Sequence, residues 1–292
     1  MVRPNAIWAI LKRAFASFLE DEALTRGAAI AFYTVTSIGP ILLMVVGIAG
    51  LAFGREAAQN ALTGQLSGLM GREAGEFLQS VLANAQSKTS GVISTLVGAV
   101  TLLVAATGVF GEMQSALNTI WKVETRAATV GSFVRARAAS LGLVVTLGFL
   151  LMVSLVVSAG ITAMGNFLDA SLPLGKYVIW ALNFLISTAL IALLFGAIYK
   201  VLPDRRLEWR DVALGAIVTA LLFSAGKFLI GWYLGASAAA SAYGAAGALV
   251  LLLLWVYYSA QIFLFGAEFT KAFALQFGSR RNEVIAPKTV TT

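Results

Sequence analysis

Lys227 sits inside an otherwise uncharged apolar run, Val212–Leu234. An ammonium group at the centre of a membrane helix costs about 2.5–3.5 kcal/mol on insertion scales, so such a lysine is a functional candidate by default. Facing inward, it would hold an anion or pair with a carboxylate. Facing outward, it would snorkel to the headgroups. Other polar groups recur at helical spacing. Arg26, Tyr33 and Ser37 fall near one face and are followed by Pro40. Proline removes a backbone donor, so Pro40 is expected to kink its helix and free a carbonyl. Thr107, Gly111, Gln114 and Asn118 follow one face, with Glu112 beside it, and Asn183 and Ser187 are one turn apart. Tyr257, Gln261 and Glu268 share another face. In lipid, such groups turn inward to bond between helices or to line a polar path. Lys227, Arg26, Tyr33, Ser37, Gln114, Asn118, Gln261 and Glu268 are therefore the candidate substrate-binding residues. Gly231 and Gly235, with Gly244 and Gly247 beyond them, are spaced for close helix packing, and the thin loop between the two pairs could gate a path. The run Glu20–Asp21–Glu22 reads as a solvated helix end.

Catalytic chemistry finds little support in the same chain. Its 292 residues include no His and no Cys. The commonest zinc ligands and general bases are thus missing. HExxH, GxSxG and GxxxxGK[ST] patterns are absent as well. No enzyme activity, no cofactor and no metal are expected.

The elements that carry these residues are long apolar runs. Hydrophobic residues make up 59% of the chain and charged residues 12%, with a mean hydropathy of +0.85. Soluble domains carry about 25% charge, which leaves the bilayer as the fitting solvent. A membrane core of about 30 Å needs about 20 apolar residues in a helix. Six segments qualify: Ala28–Phe53, Val92–Phe110, Ser140–Gly165, Tyr177–Tyr199, Val212–Leu234 and Gly244–Ala267. The expected fold is all-α, a polytopic bundle of six transmembrane helices with amphipathic surface helices.

Charge sets the orientation. Arg3, Lys12, Arg13 and Arg26 precede the first segment, and Lys122, Arg126, Arg135 and Arg137 follow the second. Lys200, Arg205, Arg206 and Arg210 follow the fourth, and Lys271, Arg280, Arg281 and Lys288 follow the sixth. The other side holds Arg55, Arg72, Lys88 and Lys176. The positive-inside rule then puts both termini in the cytoplasm. The net charge of +7 belongs to this bias, and no nucleic-acid partner is expected. Residues 1–26 form a cytoplasmic arm, 27–275 the transmembrane domain and 276–292 a disordered tail. No cleavable signal peptide is expected. In the arm, Ile7, Leu11, Ala14 and Phe18 share a face suited to a membrane surface. Between the first two spans, Leu62, Leu66 and Leu69, then Leu78, Val81 and Leu82, predict a helical hairpin. The partners expected are the bilayer, a small anionic substrate and a second copy of the chain.

Five stretches together resemble the YihY/BrkB family of bacterial inner-membrane proteins. They are Arg26-Gly-Ala-Ala-Ile-Ala-Phe-Tyr with Ser37-Ile-Gly-Pro40, Ala116-Leu-Asn-Thr-Ile-Trp121, Tyr199-Lys-Val-Leu-Pro203-Asp with Trp209, Tyr243-Gly-Ala-Ala-Gly, and Trp255-Val-Tyr-Tyr-Ser-Ala-Gln261 with Gly266-Ala-Glu268. The resemblance spans about residues 20–275 and implies a six-helix inner-membrane protein. It also carries two labels, virulence factor and "ribonuclease BN". A chain without His or a cluster of metal ligands argues against the second. The function expected is a passive or secondary transporter or exporter of a small anionic metabolite or lipid head group. The alternatives are a non-transporting envelope or scaffold protein and, last, a membrane-bound ribonuclease.

Overall fold

The computed structural model describes residues 4–70, 72–87, 108–123, 175–236 and 239–281. Among these residues all regular structure is helical. The helices are α1 (Pro4–Glu20), α2 (Ala23–Phe53), α3 (Arg55–Met70), α4 (Arg72–Ser87), α5 (108–120), α6 (Gly175–Val201), α7 (Trp209–Ala236) and α8 (Ala239–Gln276).

Local sequence explains the boundaries. Proline at the first helical position suits α1, because its missing N–H would be unpaired there anyway. Gly54 ends α2 at φ 83, and its N–H returns to the Gly50 carbonyl at 3.0 Å. That left-handed conformation is open to glycine at little cost. Pro203 follows the end of α6, where a proline stops a helix. Asp211 lies in the first turn of α7 and Lys200 in the last turn of α6. Each charge complements its helix dipole.

Among the described residues, three stretches are long and apolar enough to cross a membrane: Ala181–Val201 in α6, Trp209–Lys227 in α7 and Leu249–Gln276 in α8. They match the fourth, fifth and sixth expected spans. The first expected span lies within α2. The second lies outside the described residues except for 108–110, and the third, Ser140–Gly165, lies entirely outside them. Leu185, Leu193, Leu229, Val250 and Leu254 point outward, as an apolar solvent permits. At 38 residues α8 is about 57 Å long by its rise per residue. It therefore overshoots a hydrocarbon core of about 30 Å.

Helices α6 and α7 pack side by side, α7 packs on α8, and α2 lies against the other side of α8. The expected hairpin forms as α3 and α4. It buries Ala58, Leu62, Leu78 and Leu82 against Leu42 and Val46 of α2 and Leu252 and Val256 of α8. Helix α1 differs in phase from its expected face. Ile10, Ala14 and Phe18 are buried, whereas Ile7 is 48% exposed. Ile10 and Ala14 pack on Phe269 and Ala272 of α8. The reason is that α1 has a protein partner on one side, while Trp8, Phe15 and Leu19 stay exposed on another. The bundle thus has an α1 end and an α3–α4 end. Past the expected domain edge at residue 275, the chain is still held. The Ser279 hydroxyl donates to Asp211 at 2.6 Å, and Arg280 donates to the Arg206 carbonyl at 2.6 Å.

Candidate functional site

Four charged side chains meet at the α1 end. Asp21 stands at the α1–α2 junction, where the chain turns sharply. Its N–H bonds the Ser17 carbonyl at 2.8 Å, and the next residue, Glu22, adopts φ 55. Lys122 stands just past α5 at φ 51. There Val123 N–H reaches the Asn118 carbonyl at 2.8 Å, and Lys122 N–H the Thr119 carbonyl at 3.0 Å. This is a Schellman closure, whose left-handed position is usually glycine. A residue with a Cβ costs roughly 1–2 kcal/mol in that conformation. Glu268 and Lys271 project from α8, three residues apart.

The contacts form a closed set. Lys122 Nζ donates to Asp21 Oδ1. Lys271 Nζ lies 3.6 Å from Asp21 Oδ2 and 3.5 Å from Glu268 Oε2. Lys271 thus bridges the two carboxyls. The side chains of Asp21 and Glu268 are each 1% exposed, that of Lys271 9%, and that of Lys122 33%. The cluster therefore reaches the surface through Lys122. Asp21 Oδ2 and Glu268 Oε1 are buried and have no hydrogen-bond partner among the described residues. Burial pushes the Asp21 carboxyl up. The hydrogen bonds from Lys122 and Glu268 and the charges of Lys271 and Lys122 outweigh it, so Asp21 ionises below the usual aspartate value of 3.8.

A second layer of polar contacts surrounds this cluster. Asp204 accepts from Gln114 at 3.1 Å and Asn118 at 2.7 Å, and its own N–H donates to Asn118 Oδ1 at 2.9 Å. These bonds fasten the α6–α7 connection to α5. Arg205 donates to the Trp121 carbonyl at 2.9 Å. Tyr199, fully buried on α6, donates to the Phe263 carbonyl at 2.6 Å and meets the Thr219 hydroxyl at 3.1 Å. Its ring stacks on Phe263 with centroids 5.4 Å apart. Gly266 makes this approach possible, since a Cβ there would overlap Thr219 and crowd the Tyr199 hydroxyl. Gln261 donates to the Leu24 carbonyl at 3.4 Å and lies directly over Gly27.

The eight candidate binding residues do not gather in one place. Glu268 belongs to the cluster. Arg26 lies beside it, with Nε donating to the Asp21 carbonyl at 3.3 Å. Gln261 borders α2, and Gln114 and Asn118 hold Asp204 instead of lining a central path. Tyr33 is 41% exposed with its ring against Gly108, and Ser37 is buried deeper along α2. Lys227 is half-buried on α7, about 24 Å along the helix from Asp211 by its rise per residue. Helix α2 runs unbroken through Pro40, so no broken helix forms there. A single missing donor is tolerated inside a long helix with packed neighbours. Asn183 and Ser187 meet only at 3.4 Å and stand apart from the cluster. Gly231 and Gly235 fall on the last turns of α7 and Gly244 and Gly247 on the first turns of α8. Gly247 is buried, and the packing around the other three lies outside the described side chains.

Asp21 corrects the solvated-end reading of Glu20–Asp21–Glu22. The flanking glutamates are exposed, and the central aspartate is 4% exposed. A signal for it exists: Asp21 continues the stripe Ile10–Ala14–Phe18 at helical spacing. The Glu268–Lys271 pair was equally visible as an i, i+3 ion pair. Among the described residues, no group of three His, Cys, Asp or Glu could hold a metal ion.

The family model for virulence factor BrkB matches residues 14–289. The chain belongs to this BrkB family. Its relatives include a UPF0761 membrane protein of Alkalilimnicola ehrlichii, 29% identical over 88% of this chain and 56% of the relative. Another, from Alteromonas mediterranea, is 27% identical over 90% of this chain and 87% of the relative. A third, from Pasteurella multocida, is 31% identical over 68% of this chain and 59% of the relative. The chain thus spans a little over half the length of the first and third of these proteins. No solved structure matches. This BrkB-family chain is a membrane protein, and its matched region holds all four charges of the α1-end cluster.

Proposed function

We propose that this BrkB-family protein is a secondary transporter of a small anion or anionic lipid head group. It would sit in the bacterial inner membrane with six spans and both termini cytoplasmic. The alternation of Lys and Arg between loops supports that orientation. The observation that carries the transport reading is the buried cluster of Asp21, Lys122, Glu268 and Lys271. Removing each ion from water costs several kcal/mol, and pairing returns about the same amount. A bundle that needed only stability would do as well with packed apolar residues. By the expected topology the four charges stand at the cytoplasmic edge of the spans, where a buried cluster opening at Lys122 can exchange an ion with the cytoplasm. Lys227, half-buried on an apolar span, supplies a cation for an anionic substrate on the way to the α3–α4 end.

The test is flux of small phosphates, carboxylates and inorganic anions in proteoliposomes, with wild type against Lys227→Met. Saturable flux that collapses in the variant supports the reading. No flux for any anion from correctly inserted protein counts against it. One observation favours a second reading, a static envelope scaffold. The α6–α7–α8 contact around Tyr199 and Gly266 is so close that it leaves no room for a Cβ. A scaffold would give no flux and would retain its partners in Lys227→Met.

A further inference from the structure

We propose that Asp21 and Glu268 hold a single proton between them, and that this proton is the coupling ion of transport. The second half of the proposal rests on the transport reading above; the first does not.

Asp21 Oδ2 and Glu268 Oε1 are buried oxygens without a hydrogen-bond partner among the described residues, on carboxyls gathered around the one Lys271 ammonium. Two ionised carboxylates gathered on one ammonium repel, and each can only accept. One proton turns the pair into a donor and an acceptor, which is how carboxyl dyads share a site. Two ammonium groups already face the pair, with Lys271 3.6 Å from Asp21 and 3.5 Å from Glu268. With both acids ionised, the four charges sum to zero. With the proton bound, the cluster carries one positive charge. Release transfers the Glu268 or Asp21 O–H proton to water and leaves two carboxylates opposite two ammonium groups. The exit is at Lys122, the exposed member of the set.

Among the described residues, the groups facing Glu268 come from its own helix and from separate segments. Lys271 is on its own helix, Asp21 comes from the α1–α2 junction, and Lys122 from the turn after α5. Helix α6 brings the Tyr199 hydroxyl to Gly266, and α7 brings Asp211 to the end of α8. Two of these segments turn through left-handed residues, Glu22 and Lys122. Strained backbone of this kind collects at switches and functional sites. A unit change of buried charge at such a junction biases two arrangements of the segments.

The proton site is tested by pH-jump infrared difference spectroscopy on the purified full chain, following the C=O stretch of protonated carboxyl groups. In wild type, a shared proton gives a band that shifts both with carboxyl-labelled Asp and with carboxyl-labelled Glu. This arm needs no variant and so survives any folding defect. Glu268→Gln and Asp21→Asn should each abolish the band, while Asp204→Asn retains it. A band that ignores either label, or that persists in Glu268→Gln or Asp21→Asn, overturns the proposal. The coupling half is tested in proteoliposomes with inorganic phosphate under an imposed pH gradient. Glu268→Gln should lose acceleration by the gradient and keep phosphate–phosphate exchange. Gradient-driven flux equal to wild type overturns coupling. Absence of all anion flux in wild type overturns the transport reading, and the infrared result still decides the proton site.

Discussion

At the α3–α4 end, the hairpin is held by aliphatic side chains. Leu62, Leu78 and Leu82 meet Leu42, Val46, Leu252 and Val256. At the α1 end, an aliphatic stripe on α1 gives way to Asp21, and four charges from three segments replace the apolar contact. Apolar contacts are non-directional and tolerate repacking. A buried charge cluster is satisfied in few geometries and fails sharply when one of its buried members is lost. The contrast puts apolar adhesion at one end and a directional charge cluster at the other.

The largest effect should come from Lys271→Met, which removes the cation bridging Asp21 and Glu268. Breaking a buried pair costs about 3–5 kcal/mol, read as a fall in thermal midpoint in detergent. Adding Glu268→Gln to the same chain should recover most of that loss. Recovery would separate uncompensated charge from simple loss of packing. At the other end, Leu78→Ala should cost about 2–5 kcal/mol by leaving a cavity, and Leu78→Met under about 1.5 kcal/mol. No comparable conservative swap should exist for Lys271.

Acid sharpens the comparison further. Asp21 ionises more readily folded than unfolded. Its stabilisation is therefore complete above the ordinary value of 3.8 and is lost as pH falls through the lower folded value. Denaturant midpoints should drop in that window in wild type, with a shallower drop in Asp21→Asn and no change of slope in Leu78→Met. The smallest effect belongs to Lys122→Gly. Glycine relaxes the left-handed turn by about 1 kcal/mol, against an ion pair a third exposed and worth about the same. The net shift in thermal midpoint should be slight.

Much of this architecture was legible because lipid imposes simple patterns. Helices α6, α7 and α8 follow from long apolar runs, and α3 and α4 from leucines at helical spacing. The cluster was harder to read. In Glu20–Asp21–Glu22, three adjacent carboxylates look alike. Only the phase of α1, set by packing on Phe269 and Ala272 of α8, turns the middle one inward. Lys122 and Lys271 read as loop and tail cations, since charge counting registers sign and not burial. Gln114 and Asn118 were placed on one face correctly, yet their partner, Asp204, comes from a connection far along the chain. Pairings between distant segments depend on how the spans assemble, which no single segment encodes.

The most direct measurement is pH-gradient-driven anion flux in proteoliposomes, comparing wild type, Leu78→Met and Glu268→Gln at matched insertion. Wild type and Leu78→Met should respond alike, and Glu268→Gln should lose the response to the gradient. Equal gradient-driven flux in all three proteins would contradict that expectation.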